Sequence, residues 1–432
     1  MKDIVRKLLY VHIREGILEK IYIKLVFKVK NISDISAFWN EVPENQFEIH
    51  YEKYLPQLFK SKISEEIQTK IIHCFCLNYF GDEKQEYERI YQEILDAFEK
   101  IDTKAYSVNR WRTLNQFFIC HGMFQVADIC RTNAKEKVLT SNKQWGNEWR
   151  KAVVCLEERE LDKAGCLIKR IEENFWFKTF FSKEVYSLKL YYQLLVDGVL
   201  ENPKFFGEKE QEFGKIVKDK EILIIGPAPL QKGFPFEERN YITIRNNELR
   251  EDIEEYKEER VTDIIYYNGE IAKRVQELKT AEFFGKFKFI VLKNRCVWHK
   301  NIQHVRKTLA MDEVIFDGDL NVLPIMIMDL WQFGIKSLYV CGNNLYLSRI
   351  LYAKGYVGTK YVRKKYNNWN SFSLHNMFSQ HFILKNLYLS KKIIPDEELE
   401  YVLKLNSREY AKQMEEIHVA DKRRVNFDSA KS

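Results

Sequence analysis

A change of period near residue 220 constrains this chain more than any other feature. From Glu221 onward, short apolar runs alternate with helical patterns. The runs lie at 222–225, 241–245, 263–267, 287–292, 313–316 and 336–341. Helical patterns at 247–258, 269–280, 298–310 and 321–334 separate most of them. Strands that alternate with helices pair in parallel and carry helices on both faces. Such sheets bind ligands beyond the carboxyl ends of their strands. The expectation is an α/β fold with a Rossmann-like, mostly parallel sheet. Its functional loops should follow Ile225, Arg245, Tyr267, Phe316 and Cys341.

Before residue 220 the period is helical. Residues 1–30 place apolar side chains at helical spacing with Lys and Arg between them, and 31–59, with Pro43 and Pro56, reads as a connection. Helical patterns then run from 63 to about 200. Two segments there are alike and 37 residues apart, one at 121–130 and one at 158–167. Each sets a polar turn before a helix with a small residue, Ala127 or Ala164. That offset is near the period of tetratricopeptide-like hairpins, and a plain bundle fits equally well. The expected domains are an all-α domain over 1–215, a Rossmann-like domain over 216–425 and a loose tail at 426–432. Further helices are expected at 376–389, from Ile394-Pro395-Asp396, and from Ser407.

Composition narrows the class. A 432-residue chain with 45% hydrophobic and 30% charged residues buries a core over two or three domains, which excludes wholesale disorder. No run approaches 18 apolar residues, and Arg14 and Glu15 interrupt the signal-like N-terminus. The eight cysteines lack metal-ligand spacing and read as reduced thiols of a cytoplasmic protein. A net charge of +7 is spread along the chain, without a nucleic-acid-binding signature. Nucleic acid is therefore not an expected partner. The basic N-terminal stretch suits either peripheral contact with anionic lipid or packing on the helical domain.

The loops carry the chemistry. Gly226-Pro227-Ala228 follows the first strand, and its glycine lets backbone approach a phosphate or ribose. It is neither GxGxxG nor a P-loop. Arg245-Asn246-Asn247 offers a guanidinium and amides, and Tyr267-Asn268-Gly269 is a turn with an amide. Cys341-Gly342-Asn343-Asn344 leads to Tyr346 and Tyr352, two phenols that suit a phosphate or a core equally. Asp317-Gly318-Asp319 is an Asp-x-Asp that could hold a divalent cation, and Asp-Gly is also a common turn. His375 opens a helix after a long polar loop, with His381 six residues on.

Taken in order, these motifs resemble the bacterial sialyltransferases that cap lipooligosaccharides and capsules from CMP-activated sialic acid. The resemblance covers about residues 219–390 and implies a GT-A-like variant of the Rossmann-like sheet. It implies donor contacts at Gly226, Pro227, Ala228, Arg245, Asn247, Asn268, Gly342 and Asn344. It places Tyr346 and Tyr352 on the CMP phosphate and His375 as general base, with no metal required and no cofactor beyond the donor. The sequence departs from the family at Pro227 and Asn344, where the family has Asn and Asp. It departs again at Asn321-Val322-Leu323, in place of Thr-Ser-Gly, and at Asp319, in place of Arg. The expected activity is inverting transfer of an acidic sugar to a cell-surface glycan at the inner membrane face, by a monomer or homo-oligomer. Three alternatives stand beside it. One is a metal-dependent transferase using Asp317 and Asp319. Another is a phosphotransferase like the pterin pyrophosphokinases, whose Gly-x-x-Pro loop is similar. The last is a non-catalytic scaffold.

Overall fold

The structure is a computed structural model. It describes residues 55–56, 58–59, 62–80, 84–141, 147–198, 206–230, 240–247, 262–348, 372–373 and 375–419. The chain forms two compact units. The first comprises Met1–Val154, Lys365–Phe378 and Leu405–Ser432, and the second Cys155–Lys364 and Ser379–Lys404. Among the described residues no helix is long and apolar enough to cross a membrane.

Among the described residues, the helices before the sheet are α1 (Glu65–Phe80), α2 (Lys84–Glu99), α3 (Val108–Cys120), α4 (Phe124–Thr140) and α5 (Asn147–Glu157). They continue as α6 (Leu161–Glu173), α7 (Phe175–Phe180), α8 (Ser182–Leu195) and α9 (Glu208–Val217). Strands β1 (Glu221–Ile225), β2 (Ile242–Asn246) and β3 (Ile264–Tyr267) follow, then α10 (Gly269–Leu278) and α11 (Ala281–Gly285). Next come β4 (Phe289–Leu292), β5 (Val305–Lys307), α12 (Val322–Trp331) and β6 (Ser337–Cys341). The last described elements are α13 (Met377–Leu389), β7 (Ile394–Pro395), α14 (Glu397–Lys404) and α15 (Ser407–His418).

In the first unit, Phe59, Phe75, Phe98, Phe117 and Phe118 pack their rings between the helices. His121 ends α3 with its ring 4.3 Å from both Phe75 and Phe117 and its Nδ1 2.6 Å from the Phe117 carbonyl. Burial lowers its pKa to about 4, so it is a neutral core residue. On α15, Glu415 accepts from the Gln125 backbone N–H at 2.8 Å and from the Tyr91 hydroxyl. Burial pushes its carboxyl up to about 7.

The two look-alike segments fold alike. Gly122 and Arg159 both take positive φ, at 73° and 57°. Met123 N–H donates to Phe118 O at 3.0 Å, and Glu160 N–H to Cys155 O at 2.8 Å, so each turn closes with the same helix-ending bond. Ala127 and Ala164 are fully buried.

The second unit holds seven parallel strands in the order β5-β4-β3-β2-β1-β6-β7. The central strands are apolar along nearly their whole length, as a sheet covered on both faces requires. Phe213 of α9 packs on Phe289 and Phe333. Arg306 of β5 pairs with buried Asp329 of α12, and its guanidinium lies 3.9 Å from the Phe213 ring centre. Tyr266 hydroxyl and Gln332 Nε2 also donate to Asp329, at 2.6 and 2.7 Å.

Two expectations change here. The run at 313–316 is no strand: it enters a 3-10 turn at Asp312–Val314. Asp312 accepts from Leu320 N–H at 3.2 Å and pairs with Lys293 at 2.9 Å, which folds this segment back. The helix expected over 298–310 instead contains β5, whose Arg306 is neutralised in the core by Asp329 and so reads as surface in sequence. Within the helical stretch the two compact units divide at Val154/Cys155. Helix α8 packs against the 312–314 turn and α12, which draws the helices after α5 into the sheet unit.

Candidate functional site

Strand order reverses at β1: the connection through β2 leads to one side of it, and β6 lies on the other. In a parallel sheet this reversal opens a crevice beyond the carboxyl ends of the two strands. The loops that meet there are Gly226-Pro227-Ala228 after β1 and Gly342-Asn343-Asn344 after β6. Gly226 N–H donates to Cys341 O at 2.8 Å, and Ala228 N–H to Gly342 O at 2.9 Å. Two backbone hydrogen bonds thus join the loops beyond the end of β1. A Cβ on Gly226 would lie 2.2 Å from the Gly342 carbonyl oxygen. Glycine is required there by the neighbouring loop. Gly342 takes φ +63°, the left-handed region glycine accepts freely.

Asp396 anchors this crevice from below. One carboxylate oxygen accepts from Gly342 N–H and the other from Leu399 N–H, both at 2.9 Å. It therefore holds the β6 loop and caps the first turn of α14 with one side chain. Burial raises its pKa, and the two N–H groups offset part of that rise. Asn344 is buried, and its Nδ2 donates to Glu398 Oε1 at 3.5 Å. Burial raises the Glu398 carboxyl as well. The sequence signals α14's start at Pro395-Asp396, yet only the fold brings that cap to Gly342.

Beyond Asn344 the chain turns through two left-handed residues, Leu345 (φ 48°) and Tyr346 (φ 70°). Positive φ at bulky residues costs roughly 1–3 kcal/mol each and persists only where surroundings enforce it. The turn sets the Tyr346 hydroxyl 2.6 Å from Asn321 Nδ2, the donor. Asn321 immediately precedes α12, and its side chain makes no cap to that helix. Its backbone N–H is held by Gln380 Oε1 at 2.9 Å, and Gln380 Nε2 donates to Asp319 O at 3.2 Å. A tyrosine hydroxyl and an amide thus sit beside a helix N-terminus, where backbone N–H groups and the helix dipole favour an anion. Gln380 carries no motif in sequence, and the long separation from Asn321 hides its role.

The remaining candidates divide. Asn247 (φ 55°) accepts from Asn268 N–H at 3.0 Å, and Asn268 Oδ1 caps α10 through Ile271 N–H at 3.1 Å. These two are brought together at the ends of β2 and β3. Arg245 is buried, and its Nη1 donates to Thr262 Oγ1 at 2.8 Å, before β3 begins. That bond directs its guanidinium toward the amino end of β3. Tyr352 lies outside the described residues. His375 belongs to the first unit, in a turn before α13. Its neighbour Asn376 fixes that turn by donating Nδ2 to Asn115 Oδ1 at 2.8 Å. His381 is fully buried with Nε2 3.0 Å from Val402 O, which is a core position. Asp317 is buried, and the Asp-x-Asp follows the 3-10 turn, where a strand was expected. Among the described residues no three or more His, Cys, Asp or Glu gather as a bound metal ion requires.

No family model, curated protein or solved structure matches the chain.

Proposed function

We propose that the switch-point crevice binds a nucleotide-activated acidic sugar, CMP-linked by the motif resemblance, and that the protein is an inverting glycosyltransferase. The carrying observation is the meeting of the Gly226 and Gly342 loops where the strand order reverses. In this reading the backbone of 226–228 and 342–344 faces the nucleoside. Tyr346 and Asn321, beside the start of α12, face the phosphate. Charge develops on that phosphate as the bond to the anomeric carbon breaks, and fixed donors stabilise it. The acceptor hydroxyl attacks the same carbon and gives up its proton to a base. The resemblance assigns that base to His375, a residue type suited to accepting a proton near neutral pH. The donor would be a CMP-sugar, the acceptor a cell-surface glycan, and the place of action the inner membrane face.

The test pairs binding with turnover. Tyr346→Phe removes one hydroxyl and leaves the ring. It should weaken CMP binding by about tenfold to a hundredfold, the range of one hydrogen bond to a charged group. CMP release from a CMP-sugar donor should fall by more than binding does, because the contact strengthens as the phosphate departs. Equal binding and turnover in the variant would remove Tyr346 from the site. Near-normal turnover by His375→Ala would remove the base.

A further inference from the structure

Helix α7 carries an aromatic ridge that the core does not use. Phe175 is 69% exposed and Trp176 44%, while Phe177 on the opposite side is buried. The Trp176 and Phe180 rings stack at 5.7 Å, and Phe175 stands edge-on to Trp176 at 5.8 Å. Asn174 fixes the helix start by accepting from Trp176 N–H at 3.0 Å and Phe177 N–H at 3.4 Å. The ridge is therefore held in place and directed to solvent. Contiguous exposed aromatic surface of this kind marks an interaction site.

The charges around the ridge define its partner. Lys178 is exposed on α7 itself, within one turn of Phe175. Lys169 and Arg170 are exposed near the end of α6, Arg170 in its last turn, and the Asn174 N–H donates to the Arg170 carbonyl. Lys183 is exposed at the start of α8. Glu172 is engaged by Lys189 at 3.0 Å, which leaves Glu173 as the one exposed acid among these positions. Phe and Trp rings bordered by cations match the boundary between acyl chains and anionic headgroups. Amphipathic aromatics reside at that depth, and lysines are attracted to the lipid phosphates.

We propose that α7 is a membrane-contact ridge. It sets Phe175, Trp176 and Phe180 among the headgroups of an anionic phospholipid surface, with Lys169, Arg170, Lys178 and Lys183 against the phosphates. The proposal stands independently of the glycosyltransferase reading.

The test is co-sedimentation of the full chain with phosphatidylcholine vesicles and with vesicles in which phosphatidylglycerol replaces part of that lipid. The wild type should sediment with the anionic vesicles, weakly with the neutral ones, and less as salt rises. Phe175→Ser combined with Trp176→Ser should weaken the anionic-vesicle affinity by about tenfold or more, from the apolar area withdrawn. Both positions are exposed, so the thermal midpoint should not move. Lys178→Glu should weaken binding and flatten its salt dependence. Failure of the wild type to sediment with anionic vesicles would overturn the proposal. Undiminished binding by the aromatic variant would also overturn it and place the lipid contact elsewhere, as at the basic residues 1–30. Wild-type self-association that the aromatic variant abolishes would overturn it too, in favour of a second copy of the chain.

Discussion

Single residues in this protein answer to their neighbours before any ligand. Gly226 is set by the Gly342 carbonyl oxygen, 2.2 Å from where its Cβ would sit. Gly226→Ala should therefore cost about 3 kcal/mol, the upper range of an overpacking substitution, read as a lowered denaturant midpoint at constant slope. An unchanged midpoint would mean the two loops are not joined. Glu415 makes a second residue-scale prediction. Burial raises its folded pKa to about 7 from an ordinary value of 4.5. The folded state then holds the proton more tightly than the unfolded chain. Its stabilising effect is complete below pH 4.5 and is lost as pH rises toward 7. Glu415→Gln should remove that slope, which amounts to a few kcal/mol at most. A wild-type stability that rises from pH 5 to pH 7 with the same slope in the variant would contradict this.

At the scale of elements, one side chain ties two of them. Asp396 uses both carboxylate oxygens, one on the β6 loop and one on the first turn of α14. Asn in its place supplies a single acceptor and turns an amide N–H₂ toward a backbone N–H. Asp396→Asn should therefore destabilise by about 1–3 kcal/mol and weaken CMP binding with it. Unaltered stability and affinity would show that the β6 loop holds its shape without Asp396. The strands around the crevice were legible because β1, β2, β3, β4 and β6 are apolar runs ended by Gly or Asn turns. The apolar run at 313–316 was misleading, since a short buried segment has no period that separates strand from turn. Strand β5 was hidden for the opposite reason: Arg306 and Lys307 look like surface, and only the Asp329 partner across the fold explains a buried Arg306. The same limit applies to the site. Loop residues Gly226 and Gly342 declare themselves by type. Asp396, Glu398 and Gln380 act through contacts separated by more than 50 residues in sequence, which no local pattern records.

At the scale of the whole molecule, a seven-stranded parallel sheet with a reversal at β1 offers one crevice where the two conspicuous glycine loops converge. A fold of this kind hosts many chemistries, so the ligand decides between them. The most direct measurement is thermal stabilisation of the full chain by CMP, CDP, UDP, GDP and ATP, each with and without Mg²⁺ or Mn²⁺. A ligand at roughly a hundred times its Kd adds about 2.7 kcal/mol, enough to raise the midpoint of a domain this size by about 5–11 °C. CMP should raise the midpoint without added metal, and Tyr346→Phe should reduce that rise. A rise with UDP, GDP or ATP that depends on metal, or no rise with CMP, would contradict the assignment of the crevice to a CMP-activated sugar.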